Sequence, residues 1–311
     1  IQFSYDYQED ATCPRWMQFV NEIFDGDQSH IDLLQEIFGY ILTQDSSMQK
    51  MFWFIGMGAN GKGVVLKVLE SLISKSNRTS LDIRNLTSPF VRAAMYNKLL
   101  SINGDFPKKF FGNEDIIKMI VGGDTIDAQE KYKPQIEFTP TCRFIFAMNS
   151  LPKTDDKSFG FYRRVIIVPF TRVFGEEEQD RSLTKKLLNE LPGIFIWGVD
   201  GLKRLRKNNK FTESQKSNEL LEAYKNEQNS VLMFVDEMCV LDCNARVKVS
   251  DIWKKYEEFC EETDVEPLVR REFAKQLKNN YEFIVKTYRS SGGAPQRTYF
   301  GIGLKSELHG D

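Results

Sequence analysis

Residues 56–63, Gly56-Met57-Gly58-Ala59-Asn60-Gly61-Lys62-Gly63, set two glycines and a lysine at the spacing Gly-x-x-x-x-Gly-Lys, and that spacing restricts the fold around it. Such a loop wraps a phosphate chain only where a buried strand delivers it and a helix continues from it, so that successive N–H groups and the lysine converge on the anion. Both neighbours are legible. Met51-Phe52-Trp53-Phe54-Ile55 is a short unbroken apolar run, the signature of a strand covered on both faces. After the loop, Val64, Val65, Leu66, Val68, Leu69, Leu72 and Ile73 recur at helical spacing. The expected phosphate contacts are Gly56, Gly58, Asn60, Gly61, Lys62 and Gly63, which makes a nucleotide the first ligand to consider. A Ser or Thr that holds Mg²⁺ ordinarily follows the lysine, and Gly63 offers no oxygen there, so binding is better supported than hydrolysis.

Between about 49 and 205 short apolar runs at 51–55, 98–102, 142–148 and 165–170 alternate with helical patterns, which implies an α/β sheet with binding loops at strand ends. Asp105 follows the second run, where an acid can hold Mg²⁺ through water. Asn149 closes the third, and is either a water- or γ-phosphate-orienting amide or a turn former before Leu151-Pro152. Arg163 and Arg164 precede the fourth, as guanidiniums suited to phosphoryl charge across a subunit boundary or as surface ion-pair formers. Residues 121–134 read as an exposed hairpin in which Lys131 and Lys133 flank Tyr132, a combination that suits a nucleic-acid strand by charge and stacking.

Residues 1–48 read as a helical N-terminal segment, with Trp16, Phe19, Val20, Ile23 and Phe24 on one face and Leu33, Leu34, Ile37, Phe38 and Ile41 on another, a pad for the next domain. Residues 206–245 begin with a polar break at 206–210 and continue as a helical linker or lid that Thr212 and Gln215 open as a capping box. In 246–311, Ser250 caps a helix carrying Ile252, Trp253, Tyr256 and Phe259. A helix around 270–278, a loop at 289–295 and strands at 281–288 and 297–304 follow, a winged-helix pattern with a two-stranded wing. Residues 267–305 hold eight basic side chains, Arg270, Arg271 and Lys275 among them, against the acids Glu272 and Glu282. That excess fits either phosphate contacts or the solvated face of a protein-docking module.

With 42 Lys and Arg against 44 Asp and Glu, the chain has no uniformly basic coat, so any nucleic-acid site is a local patch. Five cysteines without C-x-x-C pairs, and only His30 and His309, read as reduced thiols rather than a structural zinc, with Cys239 and Cys243 as neighbouring core positions. No apolar run approaches the ~18 residues of a membrane span, and an intracellular protein is expected. The chain opens on Ile1, which reads as a piece of something longer.

Taken in order, these motifs resemble the superfamily 3 helicases of the AAA+ class, specifically the phage, plasmid and poxvirus-type primase-helicases. The matching stretches are 56–62 (Walker A, with Asn60-Gly61-Lys62), 99–105 (Walker B), 122–131 (a DNA-contacting motif), 144–149 (sensor) and 160–164 (arginine finger). The resemblance implies an AAA+ P-loop core that binds ATP and Mg²⁺ between subunits of a homo-hexameric ring translocating on single-stranded DNA. It also implies a primase or primase-polymerase domain upstream. Two departures stand out: Gly63 replaces Ser or Thr, and Gly104 leaves Asp105 without an acidic neighbour. An ATP-dependent helicase module is the leading expectation. The rival is a ring that loads or tethers DNA with little or no hydrolysis, and a small-molecule kinase is disfavoured because it gives no reason for the hairpin or the basic tail.

Overall fold

The apolar run Met51–Ile55 is the pivot of a five-stranded parallel sheet, ordered Arg78–Thr79, Leu100–Asn103, Arg143–Met148, Met51–Ile55, Val165–Pro169. Met51, Phe52, Trp53 and Phe54 are buried, as a central strand with both faces covered requires. In the computed structural model, residues 1–104, 109–110, 113–154, 156, 158–263, 265–281, 284–288 and 296–305 are described. They fall into two units, Ile1–Glu222 and Ala223–Asp311.

In the first unit, helix Lys62–Ile73 sends Val65, Val68, Leu69 and Leu72 into the same core as Phe52 and Phe54. Helices Pro14–Ile23 and Gln28–Ile41 contribute Trp16, Phe19, Leu34 and Phe38 to that core, so the N-terminal segment is part of the sheet's cover. Each fully buried side chain of this size stabilises by roughly 1.5–3 kcal/mol. Helix Leu191–Asn208 lies on Gln28–Ile41 at backbone distance: a Cβ on Gly39 would stand 2.2 Å from the Gly198 carbonyl oxygen. The fully buried Glu36 joins the two, accepting from Arg204 Nε (2.8 Å), Thr212 N (2.6 Å) and Thr212 Oγ1 (2.8 Å).

Those bonds correct the expected start of the next helix. Thr212 is spent on Glu36, and Ser214 is the residue that receives Ser217 N–H (3.4 Å) as helix Gln215–Glu227 begins. The polar stretch at 206–210 is also no break until its end, because helix Leu191–Asn208 runs through Arg206 and Lys207 and stops at Asn209 in the left-handed region (φ 52°).

The second unit packs helices Ser230–Met238, Val249–Glu262 and Arg270–Asn280 on an antiparallel sheet ordered Cys239–Lys248, Gln296–Leu304, Ile284–Tyr288. Phe234, Tyr256, Phe259, Phe273 and Ile302 fill its core. Sequence reasoning missed the strand Cys239–Lys248. Its exposed residues mix Leu241 and Cys243 with Asp242, Asn244, Arg246 and Lys248, and its pairing is interrupted between Leu241 and Arg246, so no clean alternation marks it. Cys239 is buried but Cys243 is exposed, which separates two cysteines expected side by side in the core. Ser250 does not cap: Lys248 occupies that position, and the Ser250 hydroxyl donates to Asp251 Oδ1 (2.7 Å). The loop expected at 289–295 lies outside the described residues. All five cysteines are free thiols, and no described helix is long and apolar enough to cross a membrane.

Candidate functional site

Residues 56–61 leave the carboxyl end of the central strand and turn with three positive φ values, Gly58 (115°), Ala59 (45°) and Gly61 (80°). Gly61 permits the tightest approach. A Cβ there would meet Ile23 Cγ2 at 2.6 Å, so a side chain would collide with helix Pro14–Ile23 besides straining the backbone. Asn60 locks the turn from inside: its Nδ2 donates to the Phe170 carbonyl (3.3 Å) and its Oδ1 accepts from Lys62 N (3.3 Å). Among the described residues, the amides of Met57, Gly58, Ala59, Asn60 and Gly61 donate to no protein acceptor. A run of unpaired amides ahead of a helix N-terminus is a cradle for an anion.

Lys62 is buried at the first turn of its helix. Its Nζ donates to the carbonyls of Gly56 (2.8 Å) and Met148 (2.7 Å) and to Asn149 Oδ1 (3.3 Å), which occupies all three ammonium protons. Burial lowers its pKa. The structure thus brings Lys62 and Asn149 together from positions 87 residues apart in sequence. Gly63 is exposed, and a Cβ added there meets nothing within 4 Å.

Arg163 and Arg164 sit at the opposite end of the sheet. Strand Val165–Pro169 runs parallel to Met51–Ile55 with Met51 beside Val165 and Ile55 beside Pro169. At ~3.3 Å per residue, the arginines stand roughly 16 Å from the loop of their own chain, further than their side chains extend. The two differ in freedom. Arg163 is exposed, with its carbonyl accepting from Lys50 Nζ (2.6 Å). Arg164 is half-buried and donates through Nη1 to the Gly160 carbonyl (2.5 Å), and its pKa is lowered by burial and then by the neighbouring Arg163 charge.

The hairpin is formed by strands Ile126–Ala128 and Ile136–Phe138, with Lys131, Tyr132 and Lys133 exposed at its tip. Tyr132 is 104% exposed and adopts φ 66°, while Lys133 pairs with Glu130. What anchors the hairpin escaped sequence reasoning. Arg92, 5% exposed, donates through Nε to the Asp127 carbonyl (2.7 Å), through Nη2 to Asp127 Oδ1 (2.6 Å), and through Nη1 to the carbonyls of Leu86 (2.9 Å) and Thr87 (2.8 Å). The available signal was an arginine within the apolar run from Phe90 to Met95. In the second unit, Arg270, Arg271 and Lys275 are exposed on helix Arg270–Asn280, Lys275 pairing with Glu272 at 3.5 Å.

Asp105 lies outside the described residues. Among those described, no cluster of three or more His, Cys, Asp or Glu side chains could hold a metal ion, and Lys62 is surrounded by carbonyl and amide oxygens. Asp105 aside, the described residues supply no ligand set for Mg²⁺, and no chemical step is drawn through the ion.

A parallel sheet with a glycine loop at its central strand end and a buried lysine opening the next helix is a P-loop NTPase-like core. Two protein-family models match the chain: a family of unknown function, DUF5906, over residues 54–164, and the Poxvirus D5 protein-like family over residues 226–299. The helicase-named protein L207/L206 of Acanthamoeba polyphaga mimivirus is 27% identical over 204 residues, covering 63% of this chain and 21% of its own length. The helicase-named protein 184R of Invertebrate iridescent virus 6 is 24% identical over 210 residues, covering 61% of this chain and 20% of its own. The chain therefore spans about a fifth of the length of these relatives. Among solved structures, the apo C-terminal region of NrS-1 matches with a TM-score of 0.59 at 16% identity, over 96% of this chain and 79% of that one, a likeness of fold. The chain is thus similar over residues 226–299 to the Poxvirus D5 protein-like family, and over about three fifths of its length to viral proteins named as helicases.

Proposed function

We propose that this chain is the NTP-dependent DNA helicase module of a replication protein, working as a ring on single-stranded DNA. The observation that carries the reading is the loop itself: five consecutive unpaired amides, closed by a buried lysine whose ammonium rests beside Asn149. In this reading the amides of residues 57–61 and Lys62 hold the polyphosphate of ATP. Asn149 orients the attacking water or the γ-phosphate, and Asp105 receives Mg²⁺.

Arg163 serves the nucleotide of the neighbouring subunit. Its exposure and its distance from its own loop support that assignment over Arg164, which is tied to Gly160. Such a site is complete only between two copies, which is what a closed ring, a hexamer by the family resemblance, supplies. Lys131, Tyr132 and Lys133 meet DNA by charge and stacking. The order helix, strand, helix, helix, strand, strand in the second unit supports a winged helix, with Arg270, Arg271 and Lys275 toward a phosphate backbone. The division into a helical segment (1–48), an AAA+ core (49–205), a linker or lid (206–245) and a winged helix (246–311), preceded by a primase or polymerase domain, completes the proposal.

One observation favours the alternative of a DNA-loading ring with weak hydrolysis: position 63 lacks the metal-site hydroxyl. The same position supplies the test, because a side chain there meets nothing within 4 Å and Gly63→Ser fits without strain from its surroundings. ATPase activity stimulated by single-stranded DNA in the parent supports the motor. No stimulation in the parent, with activity restored in Gly63→Ser, favours the loader. No nucleotide binding in either protein defeats both.

A further inference from the structure

The hairpin strands Ile126–Ala128 and Ile136–Phe138 have 3 residues each, and a lone two-stranded ribbon is marginal in water, so something outside the pair must hold it. Helix Pro89–Arg92 supplies the hold. Arg92 places Nε on the Asp127 carbonyl (2.7 Å) and Nη2 on the Asp127 carboxylate (2.6 Å), and Gln129 N donates to the Pro89 carbonyl (3.1 Å). On the second strand the Tyr96 ring meets Phe138 edge-on at 5.3 Å. Nη1 of Arg92 is bonded to the Leu86 and Thr87 carbonyls, which fixes the guanidinium plane from the far side. The first hairpin strand is therefore set by one buried fork.

The segment that carries Arg92 is stitched at its start to strand Leu100–Asn103. Leu81 N donates to Ser101 Oγ (3.4 Å), Asn103 Nδ2 donates to the Leu81 carbonyl, and Ser80 Oγ donates to Asn103 Oδ1 (3.1 Å). Asn113 Nδ2 adds a bond to the Arg84 carbonyl (3.0 Å). Asn103 closes its strand at the carboxyl end of the parallel sheet, the same end from which residues 56–61 depart. Residues 80–92 thus run from that end of the sheet to the hairpin, and Arg92 is the link that joins them.

We infer that Arg92 is a positioning residue for single-stranded DNA, which rests on the reading of Lys131, Tyr132 and Lys133 as DNA contacts. Arg92 itself is buried and its charge is matched by Asp127, so it is spent inside the protein and does not reach a phosphate. Its work is geometric. Exposed side chains at a hairpin tip bind a strand well only when the hairpin is already held in place, because ordering it on binding subtracts from affinity.

Equilibrium titrations of the whole chain with a fluorescein-labelled oligothymidylate and, separately, with ATP test the role. Arg92→Ala is expected to weaken the oligonucleotide by about tenfold or more, the worth of its charge-assisted bonds, with ATP affinity unchanged within about twofold. Arg92→Lys, which keeps the charge and loses the fork, and Asp127→Asn, which leaves residue 92 intact, should each weaken it several-fold, and they carry the test if Arg92→Ala fails to fold. Added to Tyr132→Ala, Arg92→Lys should cost little more, because a misplaced hairpin no longer presents the ring, whereas independent effects multiply. Parental oligonucleotide affinity in folded Arg92→Lys and Asp127→Asn, or losses that multiply with Tyr132→Ala, overturns the positioning role. So does a loss of ATP affinity equal to the loss of oligonucleotide affinity, the mark of a residue that serves folding alone. A parent whose oligonucleotide affinity is indifferent to both Lys131→Ala and Tyr132→Ala removes the hairpin as a DNA contact, and the role of Arg92 with it.

Discussion

The two ends of the strand pair Met51–Ile55 and Val165–Pro169 are built on opposite principles. At the carboxyl end, a loop with three left-handed residues is fixed by Asn60, Phe170 and the close packing of Gly61 on Ile23, and its polar groups are backbone amides without protein partners. At the amino end stand Lys50, bonded to the Arg163 carbonyl, and two guanidiniums, one tied to a carbonyl and one exposed. The first end is preorganised for an anion, and the second presents a cation that its own chain cannot deliver there. If both ends serve one reaction site, as proposed, assembly and not folding alone completes it.

The sharpest way to break this comparison is to remove the exposed cation. Arg163→Ala is expected to lower kcat of the DNA-stimulated ATPase by about 10³-fold or more while nucleotide affinity changes less than about twofold. Loss of affinity of the same size as the loss of turnover would place Arg163 in ground-state binding within one chain. Lys62→Ala should act at the other end, weakening ATP and tripolyphosphate together by roughly 10–100-fold, the worth of a charge-assisted bond. An unchanged affinity in equilibrium titration would remove Lys62 from the cradle. Gly61→Ala should cost about 1–3 kcal/mol in denaturant unfolding, through a left-handed alanine and its collision with Ile23, and parental stability would show that the loop is less constrained than its contacts indicate.

The smallest effect concerns the N-terminal cover that backs the loop. His30 is buried against Asp27, Ser214, the Phe24 ring and the nearby Lys216 charge, and burial lowers its pKa below the ordinary 6.5 despite the Asp27 carboxylate. The unfolded chain therefore binds the proton more readily than the folded one. This contribution to stability is fully present above about pH 6.5 and is lost as pH falls through the lower folded value. The Asp27 carboxyl, held well below the usual carboxylate range by Ser29 and His30, titrates outside that window. Thermal melts should fall between pH 7 and 5 with a smaller slope in His30→Gln than in the parent, and equal slopes would discount His30.

Much of the first unit was legible because its signals are local. Continuous apolar runs mark strands buried on both faces, and the glycine spacing marks the loop, so Lys62 and Asn149 were found from sequence and meet in space. What escaped depends on contacts between distant segments. Thr212 reads as a cap until Glu36, 176 residues away, claims both its N–H and its hydroxyl. Arg92 reads as one more arginine until the hairpin folds onto it. The strand Cys239–Lys248 exists because Gln296–Leu304 pairs with it, not because its own residues favour extension. The arginines were found, but only the sheet's direction shows that they lie far from their own loop.

Mixing the two deficient subunits tests the central claim most directly. Lys62→Ala and Arg163→Ala proteins are each expected to lack DNA-stimulated ATPase activity alone. If a working site joins the loop of one copy to Arg163 of another, an equimolar mixture regains activity, roughly a quarter of the parental rate by random pairing at subunit boundaries. A mixture as inactive as its components, with subunit exchange confirmed, would contradict a site shared between copies.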